Sequence, residues 1–141
     1  MPAARITWHE NLSFVGVDST DHGIVISTPD DKIGVKPSDL ILMSLGSCTA
    51  YDMVNILTKK RQPLTDLVIE VSGEQDEHPP WVFTSFHMDI KVYGNGLSER
   101  AVREALRLSE EKYCAASATL RMAGPITHEI TMVDQNAVPV S

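Results

Sequence analysis

An apolar run from Leu40 to Leu57 constrains the fold more than any other feature of the sequence. A run of this length either spans a membrane or is buried inside a folded protein. Asp52, Asn55, Gly46 and two serines interrupt it, and an Asp at the centre of a membrane helix costs about 2.5 to 3.5 kcal/mol on insertion scales. The run therefore predicts a buried helix of a soluble protein, with no membrane as a partner.

The residues on either side of the run set the bounds of this helix. Pro37 suits the first helical turn, and Asp39 complements the positive end of the helix dipole. Basic residues around Lys60 suit the negative end, and Pro63 cannot continue the helix. The predicted helix therefore begins near Pro37 and ends at about Lys60.

The apolar side chains of this helix point in almost every direction on a helical wheel, which is typical of a helix buried nearly all round. They are Leu40, Ile41, Leu42, Met43, Leu45, Ala50, Met53, Val54, Ile56 and Leu57. Such a helix is about 35 Å long, comparable to the diameter of a domain of this size, so one chain has little left to wrap it. We therefore expect a second copy of the chain to cover part of it, in a C2 homodimer.

Cys48 lies on the only polar stripe of the predicted helix, with Ser44, Asp52 and Asn55. This position favours a thiol that faces a cleft. The alternative is an inert thiol in the core, because free cysteines are among the most buried residues. Asp52, one turn further on, would raise the pKa of Cys48. A raised pKa argues against a reactive thiol. If Asp52 instead accepts a hydrogen bond from a neighbouring donor, this argument no longer holds.

The rest of the chain alternates short strands, turns and two further helices, which predicts an α+β fold in one domain, residues 1–141. Strands are expected at Ala4–Trp8, Ser13–Val17, Gly23–Ser27, Leu67–Val71, Phe86–Val92 and Ile126–Val133, the first three as a meander. The polar segment from Gly73 to Pro80 is expected to be a loop. Helices are expected from Ser98, as N-cap, to about Lys112, and around Cys114–Met122.

Composition and charge restrict the partners and the compartment. The 141 residues are 43% apolar and 22% charged, with a net charge of −7, and the cations form no stripe that would suit nucleic acid. The N-terminus has neither a signal-peptide core nor a transit pattern, so a cytoplasmic protein is expected. In that compartment the two thiols are reduced at rest.

The second cysteine, Cys114, lies where one helix ends and another begins, so its thiol can gain from a helix N-terminus. Two thiols that meet in space are the minimum for peroxide chemistry, in which a sulfenic acid is resolved as a disulfide. The activating cation is left open among Arg5, His9, His22, His87 and Arg121. Neither HxxxH nor CxxC spacing occurs, and GxSxG, P-loop and GxGxxG are absent, so no metal site and no cofactor are expected.

Two blocks of the sequence resemble the OsmC/Ohr family in its OsmC-like branch. They are PSDLILMSLGSCTAYDMVNILTKKRQ, residues 37–62, and LSEEKYCAASATL, residues 108–120. The resemblance implies an OsmC-like α+β fold: an N-terminal β-meander, a long buried central helix, two further strands, two helices and a final strand. It also implies an intertwined homodimer with two sites at the dimer interface.

The resemblance further implies a thiol peroxidase of oxidative stress defence. In that family the first cysteine attacks an organic hydroperoxide and the second resolves it, and a dithiol, often a lipoyl group, reduces the disulfide. Cys48 would then be the peroxidatic residue and Cys114 the resolving one.

The sequence departs from the family pattern at the activating pair. The peroxidases have a Glu ten residues before the first cysteine, paired with an Arg of the N-terminal sheet. Ser38 stands at that position here, so Asp39 and Arg5 are the candidate activating or orienting residues. The departure leaves a second hypothesis open, a non-catalytic module that binds a small apolar or thiol-reactive ligand at the dimer interface.

Overall fold

The structure, a computed structural model, describes residues 1–30 and 32–135. The elements in chain order are β1 (Arg5–Glu10), β2 (Ser13–Val17), β3 (Gly23–Ser27), α1 (Asp39–Lys59), β4 (Leu64–Gln75), β5 (Phe83–Gly94), α2 (Glu99–Leu108), a π-helix (Ser109–Tyr113), α3 (Ala115–Leu120) and β6 (Ile126–Asp134). The predicted α+β order is confirmed. The chain forms two compact units, one ending at Ile41 and the other beginning at Leu42.

The first unit contains the predicted meander. β1 pairs with β2 and β2 with β3, both antiparallel. Between β2 and β3 the Asp18 carboxylate accepts hydrogen bonds from the backbone N–H groups of His22, at 3.0 Å, and Thr20, at 2.9 Å. These bonds and one from the Thr20 hydroxyl lower the pKa of Asp18, the His22 backbone having the largest effect. The Asp18 side chain thus stabilises the turn between β2 and β3.

The second unit contains a three-stranded sheet with β5 at its centre. β4 pairs antiparallel with β5, and β6 pairs parallel with β5. The pairing of β4 continues to Gln75, opposite Phe83. The expected loop therefore begins after Gln75 and not at Gly73, because the ladder with β5 satisfies the backbone of residues 73–75 despite their weak strand propensity.

The core of the second unit lies on one face of this sheet. Phe86, Met88, Ile90 and Val92 alternate inward along β5 and are buried. They form one cluster with residues of α1 and α2: Leu45, Met53, Leu57, Val102, Ala105 and Leu106. α1, which carries Cys48, and α2 therefore cover this face of the sheet.

α1 is buried on one side only. Its buried residues are Leu45, Gly46, Thr49, Asp52, Met53 and Leu57, whereas Met43, Tyr51 and Val54 are 49, 73 and 42% exposed. The sheet of the same chain packs against only one face of α1, so cover for its other side by a second copy of the chain stays a prediction. α1 is also long and apolar enough for a membrane span, a test that core helices of soluble proteins pass too.

The end of α2 differs from the expected continuous helix. Ser98 is its N-cap, as predicted, with its hydroxyl accepting the Ala101 N–H at 3.2 Å. The α-helical pattern stops at Leu108, and Ser109–Tyr113 forms a π-helix instead of the α-helix predicted to about Lys112. Hydrophobic periodicity did not reveal this change, because a π-turn inserts one residue locally and leaves the preceding repeat unaltered.

Candidate functional site

Cys48 lies in the middle of α1, at the border between its buried and exposed faces. Its neighbours one helical turn away are Leu45 and Asp52, which are buried, and Tyr51, which is exposed. The Cys48 side chain is accordingly half-buried. One side of the thiol is therefore packed in the protein and the other is open to an incoming molecule.

The π-helix positions Cys114 beyond the end of α2. The Cys114 N–H donates to the Ser109 carbonyl at 2.8 Å, which closes the π-turn. Cys114 then caps α3: its sulfur accepts the Ser117 N–H at 3.2 Å, and the Ser117 hydroxyl donates to the Cys114 carbonyl at 3.2 Å. The residue is only 3% exposed. The predicted location at a helix N-terminus is confirmed.

The structure brings the two thiols and one carboxylate together. Cys48 Sγ, Cys114 Sγ and a carboxylate oxygen of Asp52 all lie within 4.8 Å of one another. Thr49 also faces this group, with its hydroxyl 4.0 Å from Cys114 Sγ. Two cysteines separated by 65 residues of sequence thus form one site between α1 and the start of α3.

Asp52 is held in this site by a residue that sequence reasoning missed. The Ser109 hydroxyl donates to Asp52 Oδ2 at 2.8 Å, and Ser109 is completely buried. A neighbouring donor for Asp52 was one of the alternatives left open. Its identity depends on the π-helix, which has no clear sequence signal, so Ser109 could not be picked out beforehand.

The two thiols differ in acidity. Burial raises the pKa of the Cys48 thiol; its hydrogen bond with Cys114 and the nearby Asp52 carboxylate raise it further. Burial also acts to raise the pKa of Cys114, but hydrogen bonds from Cys48 and Ser117 outweigh it and lower that pKa below its usual value. Cys114 is therefore the more acidic thiol of the pair.

A second group of ligand-type side chains lies on the sheet. His87, Asp89 and Glu129 have ligand atoms within 4.8 Å of one another, and His87 also bonds the Thr127 hydroxyl at 2.6 Å. Asp89 and Glu129 are exposed. This group lies at the surface with only His87 half-buried, whereas Asp52 and Cys114 of the thiol site are buried.

Comparison with known proteins identifies the family of this chain. Residues 29–129 match a family model described as OsmC-like protein. The chain belongs to the OsmC family. The matched range includes both cysteines, Asp52 and Ser109, so the site lies inside the family domain.

Relatives and solved structures agree with the OsmC fold. This OsmC-family chain is 35% identical to protein YhfA of Escherichia coli (strain K12) over 130 residues, which cover 92% of this chain and 97% of YhfA. An OsmC-like protein from Mycoplasma pneumoniae superposes with a TM-score of 0.80 at 16% identity, covering 94% of this chain and 97% of that chain. The organic hydroperoxide resistance protein OhrB of Bacillus subtilis gives 0.60 at 16% identity, covering 92 and 98%.

The remaining candidate residues of the OsmC-family chain lie in the first unit. Arg5 is in β1 and Asp39 begins α1, and both are exposed. Their proposed role in activating Cys48 stays a prediction.

Proposed function

We propose that this protein is a thiol peroxidase that reduces organic hydroperoxides in oxidative stress defence, with Cys48 as the attacking thiol and Cys114 as the resolving one. The observation that supports this function best is the approach of the two sulfurs to within 4.8 Å. A disulfide needs an S–S distance near 2.05 Å, so the two side chains must close by less than about 3 Å. A rotation of either side chain about its Cα–Cβ bond is on that scale.

Access distinguishes the roles of the two thiols. Cys48 is half-buried with an open side, whereas Cys114 is 3% exposed. An incoming peroxide reaches Cys48 first, even though Cys114 has the lower pKa. Cys114 is therefore better placed to accept a proton from Cys48 than to attack the substrate.

This arrangement supports a cycle in which the pair shares one proton. Cys48 passes its proton to the Cys114 thiolate and attacks the distal peroxide oxygen; the O–O bond breaks, leaving a Cys48 sulfenic acid and an alkoxide. The alkoxide takes the proton from Cys114 and leaves as the alcohol. The Cys114 thiolate then attacks the Cys48 sulfur, the S–S bond forms, and hydroxide leaves and is protonated by solvent to water.

The proposed substrate class and reductant complete the cycle. The neighbour of Cys48 on its open side is Tyr51, which is 73% exposed, and the apolar Met43 and Val54 lie on the same exposed side of α1. Such a surface favours an organic over an inorganic peroxide. A dithiol, such as a lipoyl group, returns the disulfide to two thiols and is itself oxidised to a cyclic disulfide.

We further propose that the protein acts as a cytoplasmic homodimer. The exposed side of α1 is the surface that a second copy would cover, and Cys48 lies at its border. The peroxide would then enter at the dimer interface. Membership of the OsmC family supports a peroxide-related function for the site, as does the likeness to OhrB, an organic hydroperoxide resistance protein.

Stoichiometric oxidation tests the proposed reaction. Reduced, metal-free protein is treated with one equivalent of cumene hydroperoxide, and free thiols and the 48–114 disulfide are measured by mass spectrometry. We expect loss of both thiols together, a trappable sulfenic acid in Cys114→Ser, and no reaction in Cys48→Ser. Retention of both thiols in the unaltered protein would contradict the proposal.

The raised pKa of Cys48 also favours the second candidate, a non-catalytic module that binds a small apolar or thiol-reactive ligand. A protonated thiol is a poor nucleophile. The two functions differ in turnover. A peroxidase consumes hydroperoxide continuously when it is supplied with dihydrolipoamide. In a binding module, Cys48 is alkylated slowly and hydroperoxide is not consumed.

A further inference from the structure

The site of the two thiols has the composition of a binding site for a soft divalent cation. Its ligand-type atoms are two sulfurs and one carboxylate oxygen, all within 4.8 Å of one another. In a tetrahedral zinc site the Zn–S bonds are about 2.3 Å, which places two ligand sulfurs about 3.8 Å apart. Cys48, Cys114 and Asp52 would therefore need to move by only about 1 Å to share one ion.

The surroundings of these three side chains resemble an outer coordination shell. Ser109 donates to one oxygen of Asp52 at 2.8 Å and fixes the carboxylate, while the Ser117 N–H fixes the Cys114 sulfur at 3.2 Å. Hydrogen bonds of this kind orient ligands around protein-bound metals. Asp52 and Cys114 are buried, 9 and 3% exposed, and Cys48 is open on one side. An ion and a fourth ligand would enter from this partly exposed side.

We propose that the reduced protein binds one thiophilic divalent cation, of the Zn²⁺ or Cd²⁺ class, through Cys48, Cys114 and Asp52. Thiolate ligands select such ions over Mg²⁺ and Ca²⁺, which take oxygen ligands. This site was not predicted from sequence, because Cys114 lies 62 positions after Asp52 and the three ligands form no short-range spacing pattern.

Ion binding and the disulfide exclude each other. Binding replaces the thiol protons, which pass to the buffer, with two S–metal bonds. When an added oxidant such as diamide removes two electrons from the sulfurs, the S–S bond forms, diamide becomes the hydrazine, and the ion loses two of its three protein ligands. The bound ion therefore protects Cys48 from oxidation. This inference requires both thiols but no peroxide reaction, so it goes beyond the proposed function.

Titration of the full-length reduced protein with Cd²⁺ tests the proposal, since cadmium bound to thiolates has an ultraviolet charge-transfer band. We expect one equivalent of Cd²⁺, displaceable by Zn²⁺, and no band after oxidation with diamide. Cys48→Ser and Cys114→Ser should each lose the one-equivalent band, and Asp52→Asn should keep the band with affinity lower by at least about 10-fold.

Two controls make the result decisive. His87→Ala removes a member of the exposed His87, Asp89 and Glu129 cluster and should leave the Cd²⁺ titration unchanged. A second measurement needs no variant. The folded, reduced protein is alkylated with and without Zn²⁺, and the thiols that remain unmodified are then counted under denaturing conditions, which reports protection of Cys48. The proposal is overturned if Asp52→Asn binds as tightly as the unaltered protein, if oxidised protein binds equally well, or if Zn²⁺ gives Cys48 no protection. The hydroperoxide assay on metal-free protein is independent of all three outcomes.

Discussion

At the scale of single residues, the site is defined by two neighbouring thiols of unequal acidity. The sequence placed Cys114 at a helix N-terminus and Asp52 one turn after Cys48, and both effects appear in the structure. The approach of the two sulfurs to within 4.8 Å could not be derived from spacing, because it depends on how α3 packs against α1. This proximity lowers the pKa of Cys114 and raises that of Cys48.

Breaking the thiol pair should shift the two pKa values in opposite directions. In Cys114→Ala, Cys48 loses both an acceptor for its proton and a negative neighbour, so its pKa should fall. In Cys48→Ala, Cys114 loses a donor, so its pKa should rise. Thiolate absorbance against pH, supported by alkylation rates, measures both. In the unaltered protein the two ionisation steps belong to the pair, and unchanged values in both variants would contradict the shared proton.

The buried bond between Ser109 and Asp52 should contribute measurably to stability. Ser109→Ala leaves the Asp52 carboxylate without the donor at 2.8 Å, and an unsatisfied buried polar group costs about 1 to 3 kcal/mol. Urea denaturation should show this loss. As the control, a double-mutant cycle with Asp52→Ala should give a coupling of at least about 0.5 kcal/mol, whereas strictly additive effects would show that the bond contributes nothing.

At the scale of elements, hydrophobic periodicity predicted most helices and strands correctly and failed where tertiary pairing decides. The bounds of α1 and of β1 to β3 lie within two residues of those expected. β4 and β5 are longer than their apolar patterns, because the ladder between them extends through polar residues to Gln75. The π-helix after α2, which positions both Ser109 and Cys114, has no signal in the hydrophobic pattern because its inserted residue leaves the preceding repeat unaltered.

The packing of α1 on the sheet depends on Gly46. A Cβ at this position would lie 2.8 Å from Val71 Cγ2, and Val71 is a β-branched residue with little rotamer freedom. Alanine gains about 1 kcal/mol over glycine in a helix, but overpacking costs about 1 to 3 kcal/mol. Gly46→Ala should therefore lower the free energy of unfolding by about 1 kcal/mol, as measured by urea denaturation.

The neighbouring residue provides a matched control for this prediction. Ser47 is exposed on α1, so Ser47→Ala should change the free energy of unfolding by no more than about 0.5 kcal/mol. If Gly46→Ala is instead more stable than the unaltered protein, helix propensity and not the contact with Val71 decides at this position.

At the scale of the whole molecule, the family and the order of elements followed from the sequence, whereas the cover of the exposed side of α1 by a second copy stays a prediction. Four large apolar or aromatic side chains of α1 are exposed: Ile41, Met43, Tyr51 and Val54. Large exposed apolar side chains grouped on one helix face are typical of an interaction surface. The expected second copy would bury them and would narrow the open side of Cys48.

A charge on this face should therefore separate the dimer and impair the site. In Val54→Asp, the interface would have to bury an unpaired carboxylate, which costs several kcal/mol, so the mass measured by light scattering at micromolar concentration should fall from two chains to one. Val68, 40% exposed on β4, is of similar exposure to Val54 at 42%, and Val68→Asp should leave the dimer intact.

Because the proposed peroxide entry lies at the interface, only Val54→Asp should slow the oxidation of Cys48 by cumene hydroperoxide, with circular dichroism unchanged in both variants. A Val54→Asp protein that stays dimeric, or an unaltered protein that is monomeric, would show that α1 faces solvent.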